Sequence, residues 1–107
     1  LRETPPDTLG MVAVREAVAR VPGLDPAEVE DVVLGCALPE GGQGLNPARQ
    51  VALGAGLPVS TAGMTVSRLC ASGLQALALA HQAIVTGTAD VVVAGGLESM
   101  SAVPITG

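Results

Sequence analysis

The segment Val66-Ser67-Arg68-Leu69-Cys70-Ala71-Ser72-Gly73-Leu74 holds the residue of this sequence best suited to covalent chemistry, Cys70. It follows a short apolar run and precedes a long helical pattern, so it falls at a strand-to-helix turn. A cysteine there meets backbone N–H groups that lack intrahelical partners, and the positive end of the helix dipole. Both favour a thiolate, the nucleophilic form of the side chain. Ala71, Ser72 and Gly73 are small and leave a ligand room to reach the sulfur. In open α/β sheets, ligands also gather beyond the carboxyl ends of the strands. A second reading stays open on the residues alone: a small apolar side chain packed at a helix start, as many free cysteines are.

The other reactive residues offer less. His81 lies eleven positions after Cys70, on nearly the same helix face but about 16 Å along the axis at a rise of 1.5 Å per residue. That exceeds hydrogen-bond reach, so His81 reads as a structural residue and not as a base for Cys70. Cys36 closes a strand and reads as a packed thiol. Gly42-Gln43-Gly44-Leu45-Asn46-Pro47 imitates a dinucleotide fingerprint but lacks its third glycine. Gly95-Gly96 suits close backbone packing better than phosphate binding, and Glu98 suits a structural hydrogen bond better than acid–base work. Two cysteines 34 positions apart and one histidine make no metal site, and the two cysteines read as free thiols.

These residues need elements to position them. Pro5, Pro6 and Asp7 open a helix, with Asp7 as its cap, that runs towards Pro22-Gly23. Asp25, Pro26 and Glu28 form a capping-box pattern. Val32, Val33 and Leu34 form a buried strand ending at Gly35-Cys36. Residues 39–45 are loop, and Asn46-Pro47 starts a helix that ends near Gly54 and Gly56. Residues 61–66 form a second strand. Residues 71–86 form the clearest helix, with Leu74, Leu77, Ala78, His81, Ile84 and Val85 as its packed face and Gly87 as its stop. Residues 90–94 form a third strand, apolar throughout and so expected to be buried on both sides. Strands alternating with helices predict an α/β fold of parallel βαβ units.

Composition excludes several functions. Net charge is −5 over 107 residues and no Phe, Tyr or Trp is present. The five arginines are scattered, so neither a basic groove nor a stacking platform for nucleic acid exists. Mean hydropathy is high at +0.53, yet no run of about 20 apolar residues could span a membrane. No targeting signal is visible, and a cytoplasmic location is expected. Leu1 and Gly107 read as internal positions of a longer chain.

The run from Thr65 to Ala76 (Thr-Val-Ser-Arg-Leu-Cys-Ala-Ser-Gly-Leu-Gln-Ala) resembles the acyl-enzyme motif of thiolases. The run from Ala89 to Ser101, which contains Gly95-Gly96-Leu97-Glu98-Ser99-Met100, resembles the family segment that follows it. Asp31 to Ala37 and Asn46-Pro47-Ala48-Arg49 fit as well. The similarity covers nearly the whole chain in order. Ser67 stands where thiolases usually carry Asn.

The resemblance implies that residues 1–107 are part of the N-terminal domain of a five-layered α/β/α/β/α fold, assembled as dimers or tetramers. It implies that Cys70 is the acyl-accepting nucleophile, that acyl-CoA and CoA are substrates, and that no metal or redox cofactor takes part. The activating histidine and the second catalytic cysteine would come from the family's C-terminal domain. Leu34 to Asn46 looks closer to the degradative 3-oxoacyl-CoA thiolases. A biosynthetic acetoacetyl-CoA thiolase, another condensing enzyme of the superfamily and a non-catalytic acyl-CoA- or lipid-binding relative are the alternatives. The family's first strand precedes Leu1 and is expected in mid-sheet, between the strands at Val33 and Val92. Without it, residues 1–107 alone are expected to be inactive and poorly folded.

Overall fold

The computed structural model describes residues 2–103, so both chain ends, Leu1 and Gly107, lie outside the described residues. Three strands, β1 (Asp31–Gly35), β2 (Ala62–Val66) and β3 (Val92–Gly96), form a parallel sheet in the order β2-β1-β3. Three helices, α1 (Pro6–Ala19), α2 (Pro47–Gly54) and α3 (Ser72–Val85), supply the covering layers. The expected α/β class with parallel βαβ units is what forms.

Alternation along β1 divides the layers. Val32 and Leu34 join a core built with Val14 and Val18 of α1 and Ala48, Val51 and Ala52 of α2. Gly35 faces the other way, against the first turn of α3: a Cβ there would overlap the Ser72 carbonyl and the Gly73 nitrogen. The order is therefore α1 and α2, sheet, α3. Close packing is demanded at Gly35 and not at Gly95-Gly96, where an added methyl would meet ordinary contacts.

Several sequence expectations shift. Pro5 caps α1, and Asp7 sits inside the helix and accepts only from Thr8 N–H at 2.9 Å. The Asp25–Glu28 capping box forms as expected, at the head of a short 3₁₀ turn. Asn46 precedes α2 without capping it. Its N–H groups are served from β2 instead, because Ala48 N–H donates to Thr65 Oγ1, which in turn donates to Asn46 Oδ1 at 2.6 Å. The strands at Val33 and Val92 are direct neighbours, with Asp31 opposite Val92 and Gly35 opposite Gly96. Among the described residues no strand stands between them, and their facing backbone groups pair with each other. β3 starts two residues later than expected and is half-buried, because it lies at the edge of the sheet.

The helix α3 departs furthest from its pattern. The face read as packed points outward: Leu74 is 72% exposed and Val85 69%, and Leu77, His81 and Ile84 are exposed beside them. The buried positions are Ser72 and Ala76. Alanines let the helix backbone approach the sheet closely, and the longer side chains are left on the far side.

An apolar stripe of this length on an open surface favours association. Residues 1–107 expressed alone are expected to self-associate at micromolar concentrations, read by sedimentation velocity. Leu77→Glu with Val85→Glu should shift the distribution to monomer. A monodisperse wild-type monomer would contradict the exposure of this face.

Candidate functional site

The parallel strands deliver three segments to one edge of the sheet. β1 runs into Cys36-Ala37-Leu38, β2 into Ser67 to Cys70, and β3 into Leu97 to Met100. Backbone bonds bind the exits together, with Cys36 N–H donating to Val66 O at 3.0 Å and Leu97 N–H to Gly35 O at 2.9 Å. A cleft of about 530 Å³ opens there. Leu38, Leu69, Cys70, Gly73, Leu97 and Met100 are among the residues that line it.

Cys70 is exposed and lies in a 3₁₀ turn, Leu69–Ala71, that leads straight into α3. Cys70 thus stands two residues before the first residue of α3, at the strand-to-helix turn that the sequence suggested. The turn is unusual at Leu69, whose φ of +50° places a branched side chain in the left-handed region. That conformation costs about 1–2 kcal/mol for a residue with a Cβ. Ser72 holds it: its Oγ accepts from Arg68 N–H at 2.8 Å and donates to Leu69 O at 2.6 Å. Ser67, at the position where thiolases usually carry Asn, donates from Oγ to Ala37 O at 3.1 Å and ties the β2 exit to the β1 exit.

One lining residue, Glu98, belongs to a polar hub. Gln43 is fully buried. Its Nε2 donates to Leu38 O at 2.9 Å and to Glu98 Oε2 at 2.6 Å, and its Oε1 accepts from Ser99 N–H at 3.0 Å. Glu98 Oε1 accepts from Ala37 N–H at 2.6 Å. Both carboxylate oxygens are thus engaged, which is the structural role expected of Glu98, although the residue also lines the cleft. Burial pushes the Cys36 thiol up, and the neighbouring negative charge of Glu98 adds to the rise.

The remaining candidates separate cleanly. Cys36 is buried and His81 is exposed on α3, away from the cleft lining. Among the described residues, no group of three or more His, Cys, Asp or Glu side chains could hold a metal ion. Sequence reasoning missed Gln43, which it dismissed with the glycine pattern around it, and the Leu69–Ser72 turn. A lone amide between two glycines in an apolar chain was a usable signal for the first. A hydroxyl two residues after Cys70 hinted at the second, but nothing in a leucine announces a positive φ.

Native labelling should read this geometry directly. Iodoacetamide is expected to modify Cys70 in the folded chain and Cys36 only after denaturation, as followed by intact mass and peptide mapping. An adduct on Cys36 under native conditions would contradict the burial described above.

Comparison with known proteins supplies the family. The sequence model of "Thiolase, N-terminal domain" matches residues 1–107. The chain is 46% identical over 102 residues to a 3-ketoacyl-CoA thiolase of Bacillus subtilis (strain 168), covering 95% of this chain and 26% of that protein. It is 48% identical over 98 residues to a 3-oxoadipyl-CoA/3-oxo-5,6-dehydrosuberyl-CoA thiolase of Escherichia coli (strain K12), covering 92% of this chain and 24% of that protein. It is 46% identical over 104 residues to an acetyl-CoA acetyltransferase of Cupriavidus necator, covering 97% of this chain and 26% of that protein. The chain spans about a quarter of the length of these curated relatives. With a family match along its whole length and a cysteine-bearing strand-to-helix turn at the sheet's carboxyl edge, the chain belongs to the thiolase N-terminal domain family.

Proposed function

We propose that the full-length protein is an acyltransferase that cleaves 3-oxoacyl-CoA thiolytically, or runs the reverse condensation, with Cys70 as the acyl acceptor. The observation that carries this reading is the position of Cys70: an exposed thiol in the cleft beyond the carboxyl ends of three parallel strands. In the cleavage direction the Cys70 thiolate attacks the ketone carbonyl. The bond between C2 and C3 breaks, acetyl-CoA leaves with a proton at C2, and the shortened acyl group stays on sulfur. The thiol of CoA then attacks that thioester, takes the acyl group and returns the proton to Cys70. A thiolate is both a good nucleophile and a good leaving group, as two successive exchanges require. Backbone N–H groups at the start of α3 suit the developing oxyanion.

The proton-handling histidine and second cysteine that the resemblance implies belong to the family's C-terminal domain. His81 does not replace the first, because it is exposed and apart from the cleft. CoA and its thioesters serve as substrates, with no metal or redox cofactor. The uncovered apolar stripe of α3 supports a homo-oligomer with further layers, and two free thiols suit a cytoplasmic enzyme. No helix among the described residues is long and apolar enough to cross a membrane. A biosynthetic acetyl-CoA acetyltransferase would use the same cysteine chemistry, and the relative of that name matches at the same identity as the 3-ketoacyl-CoA thiolase.

Acid-quenched full-length enzyme incubated with acyl-CoA should carry the acyl group on Cys70 by peptide mapping. Cys70→Ala should lower kcat by at least about 10³ while the fold is kept, since the covalent intermediate is lost. Label on Cys36, or a folded Cys70→Ala enzyme retaining about a tenth of wild-type turnover, would rule the proposal out.

His81→Gln is expected to keep most of the thiolysis activity of the full-length enzyme. A collapse of kcat in a folded variant of unchanged oligomeric state would show that His81 reaches the reaction.

A further inference from the structure

Two non-glycine residues among those described have positive φ, Leu45 in an exposed loop and Leu69. Leu69 immediately precedes Cys70, so its conformation sets the direction in which the chain enters the cysteine. Left-handed backbone is disfavoured for a residue with a Cβ. If released, Leu69 would relax to negative φ, rotating the Leu69–Cys70 peptide and carrying the sulfur with it.

Ser72 is the side chain that prevents this. It is buried, 4% exposed, at the first position of α3. A serine near a helix start ordinarily accepts from the N–H groups of the helix that follows. Here the helix receives no side-chain cap, and Ser72 turns backwards. Its Oγ takes the Arg68 N–H and gives its proton to the Leu69 carbonyl. Both hydrogen-bonding functions of the hydroxyl are thus used on the two residues before Cys70. The base of Ser72 cannot drift, because its backbone packs against Gly35 of β1 with no room for a Cβ.

We propose that Ser72 is a positioning residue for Cys70: its hydroxyl bridges Arg68 N–H and the Leu69 carbonyl and so holds the left-handed turn that aims the sulfur into the cleft. The inference rests on the reading of Cys70 as acyl acceptor. Its consequence is specific. Attack on a bound thioester needs a fixed approach of sulfur to carbonyl, whereas alkylation by a small reagent needs only access.

The test compares these two reactions at Cys70 in the full-length enzyme. For Ser72→Ala, single-turnover acylation by acyl-CoA should fall on the order of 10–100-fold, the scale of a misplacement near 1 Å. Alkylation by iodoacetamide should change by less than about threefold, since that reaction demands no fixed geometry. The isosteric pair Ser72→Thr and Ser72→Val separates hydroxyl from volume: Thr should stay near wild-type acylation and Val should fall with Ala. If Ser72→Ala does not fold, the Thr and Val pair decides. Acylation by Ser72→Ala or Ser72→Val within about twofold of wild type overturns the proposal, as does an equal loss of acylation and alkylation. Acylation lost in Thr as fully as in Val also overturns it. Failure of the wild-type enzyme to acylate Cys70 at all, while iodoacetamide still labels it, instead overturns the acyl-acceptor reading beneath it.

Discussion

Much of the geometry depends on how closely β1 and α3 can approach each other. At Gly35 the strand meets the backbone of Ser72 and Gly73 with no space for even a methyl group. A side chain there would lift the first turn of α3 off the sheet and take Cys70 with it. The same contact explains why the buried positions of α3 are Ser72 and Ala76. Small residues on both partners convert a parallel sheet edge into a platform, and the helix start is pressed onto it. The cleft is what remains between that helix start and the exits of β1 and β3.

A close contact fixes distance but not orientation, and polar groups supply the second constraint. On the Cys70 side the Ser72 hydroxyl closes the turn around Leu69. Elsewhere in the cleft lining Glu98 is held by Ala37 N–H and Gln43 Nε2, each at 2.6 Å. Bonds to an ionised acceptor are among the stronger hydrogen bonds in proteins. They join segments some sixty positions apart in sequence, Ala37 and Glu98. Because both carboxylate oxygens already accept, Glu98 is poorly placed to exchange protons and well placed to keep the β1 and β3 exits in register. One thiol is left exposed in the cleft, and the other is buried, where desolvation and then the charge of Glu98 push its pKa up.

The strands and the place of Cys70 at a strand-to-helix turn were legible in the sequence, since each rests on short-range features. Val32 to Leu34, the run up to Val66 and the small residues after Cys70 are local patterns, and the structure keeps them. The capping box at Asp25 and Glu28 is equally local and also forms. What failed were readings of α3 and of helix starts that depend on a partner from elsewhere in the fold. The packed face of α3 was assigned by helical periodicity, but that helix is apolar nearly all round, and the side bearing Ser72 and Ala76 is the one that meets the sheet. Asn46-Pro47 marks the start of α2 as read, but the bond that Ala48 N–H makes there goes to Thr65 of a neighbouring strand, which no local pattern announces. The mid-sheet strand expected between Val33 and Val92 came from the resemblance, which places it before Leu1; among the described residues β1 and β3 pair directly.

The two-sided apolar character of α3 also bears on how a nucleophile can be held rigidly. A helix covered on one face is anchored only along that face, and its far side adds no restraint. Leu74, Leu77, Ile84 and Val85 supply a second packing face of larger residues. In a five-layered arrangement of the kind the thiolase resemblance implies, a helix layer lies between two sheets, and both faces then meet protein. Burying the second stripe would contribute about 25 cal/mol per Å² of apolar surface, and it would do so on the element that carries Cys70. The alanine face brings the thiol to the sheet edge, and the leucine face is suited to keep it there.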